Sequence, residues 1–257
     1  MLPNTIDEVV VRLEQIIEDS AARGDRSGYF AALYNRVTER VRDGIAAGEF
    51  ADSTRMARLD VLFANRYLAA FDAWRAGQLP SRSWCAAFSA GERNDLTVLQ
   101  HLVLGMNAHI NLDLGIAAVR CASGPAFDSL RGDFFKINEV LASLLTVVAA
   151  ETEAMEPLLG WVARAAHGLQ DTLANQFIDE ARDGAWRFAQ SLAALPPEAQ
   201  TAAIARRDGE VATLAEGLVL AAPFARLIGA GESADVGGNI KLLAAGEFQF
   251  KLPAAPV

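Results

Sequence analysis

The sequence predicts an all-α fold, a single bundle-like domain of about eight or nine helices around a buried central helix. Three observations carry that prediction. Apolar residues recur at three- and four-residue intervals through most of the chain, and strand-type alternation is nearly absent. Of the 257 residues, 52% are hydrophobic and 21% charged, which suits a globular chain with a large core and excludes a disordered or fibrous one.

Thr5 and Glu8 fit a capping box, so the first helix starts there and carries Val9, Val10, Leu13, Ile16 and Ile17 on one stripe until Gly24 ends it. A second helix is expected from Tyr29 to Gly44 and a third from Asp52 to Gly77, with Pro80 as the stop. A short helix around Trp84 to Phe88 follows. Asn94 or Asp95 is then placed to cap a long helix that runs to Val119. Helical spacing resumes over Leu130 to Ala154, and further helices are expected over Leu158 to Ala166, Asp171 to Leu195 and Pro197 to Ala222. The helical domain is assigned to residues 1–228. Residues 229–257, rich in Gly and ending in Pro, read as an extended or loosely ordered tail.

Charge narrows the range of partners. The chain has 23 basic and 32 acidic residues, a net charge of -9, with no basic run that could track a phosphate backbone or an anionic bilayer. Neither nucleic acid nor membrane is expected. Two cysteines, Cys85 and Cys121, are too few for a disulfide framework, which favours a reducing cytoplasm. The most apolar stretch, Leu96 to Leu112, is short for a membrane span and carries Gln100, His101, Asn107, His109 and Asn111. It reads as a helix buried inside protein. A homodimer through an apolar helix face is compatible with the composition.

That central helix holds the most informative residues. His101, Gly105, His109 and Asp113 drift along one side, with Asn107 and Asn111 on the other. The rest is apolar, so each of these polar groups needs a buried partner. His109 and Asp113 are four residues apart, which permits either a hydrogen-bonded pair or two ligands to one metal ion. Asp60 and Asp133 also stand on apolar helix faces, and buried carboxylates are costly unless paired. The expected constellation is Asp60, His101, His109, Asp113 and Asp133, with Asn65, Arg66, Asn138 and Arg182 nearer its rim. Gly105 could serve close helix packing or ligand approach. Asn107 and Asn111 read as helix bridges, and His167 as a helix-end partner. His101 and His109 lie roughly 12 Å apart along a straight helix, too far to share an ion.

The stretch QHLVLGMNAHINLDLG at Gln100 to Gly115 resembles the central motif of a bacterial family known only as a domain of unknown function. LDVLFANRYL at Leu59 to Leu68 and DFFKIN at Asp133 to Asn138 extend the likeness across roughly the first 190 residues. The resemblance implies a helical fold and no reaction. A weaker analogy is to helical zinc-dependent phospholipases, which also place His-x-x-x-Asp on a buried helix, but most of their other histidines have no counterpart here.

Two classes of function are expected from these residues. In the first, the chain is a small-molecule enzyme, foremost a hydrolase, with His109, Asp113 and His101 as catalytic residues. Its metal version has His109, Asp113, Asp60 and Asp133 holding a divalent ion that activates water; its acid-base version has His109 move the proton while Asp113 fixes its tautomer. A cofactor-free cyclase or isomerase of an apolar substrate would use the same groups. No G-x-S-x-G motif is present, which disfavours a serine nucleophile. In the second class the polar network is structural, and the chain is a non-catalytic helical ligand-binding protein.

Overall fold

The computed structural model describes residues 1–124, 126–137, 174–220 and 233–247, and the architecture over these residues is all-α. Thr5 Oγ1 accepts from the Glu8 amide at 3.2 Å and starts α1, Ile6–Arg23. Glu8 reaches one residue further back than a regular capping box and accepts from the Asn4 amide at 2.7 Å. Gly24, at φ 63°, closes the helix in the left-handed region. Next come α2, Gly28–Ala46, and α3, Ser53–Arg75, the latter capped by Asp52. Then α4 covers Arg82–Gly91.

The central helix is α5, Val98–Ala108. Its cap is Thr97, in a complete box with Gln100, rather than Asn94 or Asp95. Asp95 is engaged instead by the Arg93 guanidinium at 2.7 and 2.9 Å. The run then changes character. A π-helical turn, π1, covers His109–Leu114, and α6, Gly115–Cys121, completes it. Residues four apart are offset by about 40° in an α-helix. The wider π turn brings such a pair closer to one line, and it is here that His109 and Asp113 meet.

From Val98 to Cys121 the run is 24 residues, longer than the sequence suggested and long enough by length and composition to cross a membrane; 89% of its most apolar window is buried inside the protein. Around it α7 covers 126–137, α8 Ala174–Ala193 and α9 Pro197–Leu220. The helix expected over Leu158 to Ala166 lies outside the described residues, as do Asn138 and His167.

Three apolar groupings fill the interior. The largest joins α1, α2, α3, α4 and α5, and a second joins α3, α6, α7 and α8. Leu112 and Ile116 meet Leu192 and Val211 in the third. The tail departs from the extended form expected of it. Asp235 caps α10, Val236–Ala245, through the Gly238 amide, and Ile240 and Leu243 are buried with α1 and α2. Gly28 makes that docking feasible, since a Cβ there would stand 2.7 Å from Ile240 Cδ1. Docking of a short apolar face outweighs the poor helix propensity of Gly237 and Gly238.

Candidate functional site

Asp113 on π1 is fully buried, and three elements converge on it. Arg66 from α3 donates Nε–H to Oδ1 at 2.9 Å. Trp84 from α4 donates its indole N–H to Oδ2 at 2.8 Å. His109 Nδ1 lies 3.4 Å from the same Oδ2. A carboxylate with a guanidinium and an indole donor is held in its charged form, and it can accept a further proton only through His109 Nδ1–H. That fixes the tautomer with the proton on Nδ1 and leaves a lone pair on Nε2.

The His109 ring is enclosed by aromatic side chains. Phe63 stacks on one face with centroids 3.6 Å apart, Tyr34 meets it edge-on at 4.6 Å, and Phe30 at 5.6 Å. Burial lowers the His109 pKa below 6.5, partly offset by the hydrogen bond and charge of Asp113. The imidazole is therefore neutral at neutral pH. Its Nε2 has no hydrogen-bond partner within the protein.

Beside it lies a cavity of about 70 Å³, room for roughly five waters or a small organic group. Most of its wall is apolar, drawn from α2, α3, the central run and Ile137. Three polar side chains in that wall each have a buried atom without a partner: His109 Nε2, Asp60 Oδ2 and the Tyr34 hydroxyl. Burial alone pushes the Asp60 carboxyl up to about 7, because no cation acts on it. Burial, then the charges of Asp60 and Asp113, raises the Tyr34 pKa well above 10, so its hydroxyl stays protonated. Arg182 also lines the cavity; its guanidinium donates to the Phe134 carbonyl and lies over the Phe134 ring at 4.8 Å. An arrangement of a base lone pair, a carboxyl near its titration point and a phenol can move protons to and from a bound molecule.

The expected constellation is only partly assembled. Asp60 and His109 share the cavity, and Asp113 stands behind His109. Asp133 is elsewhere in its bonding: it accepts from the Ala51 and Asp52 amides at 2.7 and 3.1 Å and from Arg55 at 3.0 Å, so it anchors the N-terminus of α3. His101 is buried beside Tyr29, at 5.6 Å between ring centroids, and does not line the cavity. Burial, followed by the charge of Arg26, lowers its pKa to about 4.

The four proposed metal ligands do not gather, and among the described residues no group of three or more His, Cys, Asp or Glu side chains is placed to hold an ion. The donors are otherwise occupied: Asp113 by Arg66 and Trp84, Asp133 by backbone amides and Arg55. Asn107 and Asn111 bridge helices as expected. Asn107 donates to the Val211 carbonyl, Asn111 donates to Asn107, and Arg207 donates to the Asn111 carbonyl. Gly105 is a packing contact, since a Cβ there would stand 2.4 Å from Phe30.

Tyr34, Phe63 and Trp84 escaped sequence reasoning as site residues. Tyr34 follows Phe30 by four on the buried face of α2, a signal that an aromatic core stripe gives equally well. Nothing local marks the indole of Trp84 as a partner of a carboxylate 29 residues away. Asp208 was missed too: it accepts from the Arg82 and Ser83 amides at 2.7 and 2.9 Å, anchoring α4 as Asp133 anchors α3.

No curated protein and no solved structure matches the chain. A family model does match, over residues 6–221, beyond the 190 or so that the resemblance suggested. The chain belongs to that family, DUF5995, a family of unknown function.

Proposed function

We propose that the chain is a small-molecule hydrolase that works by acid-base catalysis at the His109 cavity. The observation that carries this reading is His109 itself: Nδ1 is committed to Asp113, and the unpartnered Nε2 belongs to a neutral ring in the wall of a cavity. In that state Nε2 takes a proton from a water molecule as the water oxygen bonds to a substrate carbonyl carbon. Asp113 and its two donors stabilise the imidazolium formed. Asp60 in its protonated form gives its proton to the leaving oxygen as the bond from carbon to that oxygen breaks, and the imidazolium returns a proton to Asp60 through solvent. Tyr34 donates toward the developing oxyanion. His101 has no part in this scheme, and no step calls for a metal.

A panel of small neutral esters and lactones tests the reading. Wild-type protein is expected to turn over at least one of them, and His109→Ala to lose about 100-fold or more of that rate while keeping its helical circular dichroism. Full activity in His109→Ala would remove the assignment.

A further inference from the structure

The same cavity also constrains what it can hold, and the inference here rests on the acid-base reading above. We propose that the cavity takes an uncharged molecule with a compact apolar body and one carbonyl oxygen, the carbonyl accepting a hydrogen bond from the Asp60 carboxyl beside His109. The wall is apolar except for His109, Asp60, Tyr34 and Arg182. Burying a net charge on the ligand would need a counter-charge, and the candidates are poorly suited to supply one. The Arg182 guanidinium is engaged by the Phe134 carbonyl and ring. Asp60 has no cation acting on it and one oxygen with no partner, so its protonated form is the one that the surroundings tolerate. A buried carboxyl group and a phenol that keep their protons are donors in search of an acceptor. A carbonyl oxygen satisfies them without bringing charge, while the faces of Phe30, Tyr34 and Phe63 cover the apolar body.

Three probes of one shape and different charge decide the matter: cyclohexanone, cyclohexylamine and cyclohexanecarboxylate. Each is titrated into the full chain at neutral pH while the ¹⁵N resonance of His109 Nε2 is followed. Cyclohexanone is expected to shift that resonance and to bind about tenfold or more tightly than either ion. Asp60→Asn, which keeps an N–H donor, should retain ketone binding, and Asp60→Leu should weaken it about tenfold, the loss of one buried hydrogen bond. Tightest binding by the amine would overturn the proposal in favour of an organic cation, and tightest binding by the carboxylate in favour of an anion. Failure of all three to move the His109 resonance would overturn it as well. None of these outcomes touches the ester assay with His109→Ala, which decides the acid-base reading separately.

Discussion

Phe63 lies flat against the imidazole of His109, centroids 3.6 Å apart and planes 8° from parallel. One face of the ring is thereby closed to water, and the edge contact of Tyr34 takes up more of its surroundings. Desolvation is the largest influence on His109 and Asp113 the next, with opposite signs. Removing the stack should shift that balance. Phe63→Ala is expected to raise the His109 pKa toward 6.5 as water reaches the ring, and to cost about 3–5 kcal/mol of stability. NMR titration of the ring protons reads the first and urea denaturation the second; an unchanged pKa would mean that Phe63 does not control the hydration of His109.

Trp84 and Arg66 act on Asp113 from different helices and should be separable. Trp84→Phe keeps most of the ring volume and deletes the indole donor, leaving a buried carboxylate oxygen short of a partner, for a loss of about 1–3 kcal/mol. Arg66→Met removes the only cation bonded to Asp113; since Arg66 is a quarter exposed, the loss is discounted to about 2–3 kcal/mol. Chemical denaturation of both variants and of the double variant gives the coupling between them. Additive losses would show that the two donors are not parts of one network.

Asp133 should behave as a structural residue. Asp133→Ala removes two acceptors at the start of α3 and the partner of Arg55, with an expected loss of about 2–4 kcal/mol. It should leave the pKa of His109 where it was. A displaced His109 titration in Asp133→Ala would place Asp133 in the site after all.

The close approach of α2 to the central helix at Gly105 predicts a size-specific effect. Gly105→Ala sets a methyl 2.4 Å from Phe30 and should cost about 1–3 kcal/mol, despite the better helix propensity of alanine. Adding Phe30→Leu should recover part of the loss by freeing space. A Gly105→Ala variant as stable as the wild type would refute the contact.

The pH dependence of stability separates Asp60 from His101. Asp60 has its folded pKa raised from 3.8 to about 7, so between those values the folded state holds a proton that the unfolded state has released. Stability from this group falls as pH rises through that window and is flat above it. His101 works the other way: its folded pKa is lowered from 6.5 to about 4, so its contribution is complete above 6.5 and is lost as pH falls toward 4. Thermal melts from pH 4 to 8 should show Asp60→Asn gaining most relative to wild type at the alkaline end. His101→Gln should instead flatten the acid limb. Parallel curves for the two variants and wild type would contradict both assignments.

The sequence by itself determined the helices, most of their ends and the buried polar character of the central run, because those depend on residues within one or two turns. Thr5, Gly24 and Asp52 act over three or four positions. The His109–Asp113 and Asn107–Asn111 pairs were legible for the same reason. What the wheel could not supply was the π turn, which relaxes the ideal spacing over His109–Leu114. Nor could local pattern show that the tail helix Val236–Ala245 docks, since its stability comes from the surface of α1 and α2.

Only the tertiary structure decided which buried acid does what. Asp60, Asp113, Asp133 and Asp208 are all buried aspartates on helices, and from their own neighbourhoods the first three looked alike while the last went unnoticed. Their roles diverge because of partners 29 to 126 residues away in sequence: an indole and a guanidinium for Asp113, helix N-termini for Asp133 and Asp208, and a cavity for Asp60. A carboxylate inside a protein takes its charge from whatever donors the folded chain brings to it, and that is a property of the packing rather than of the local sequence.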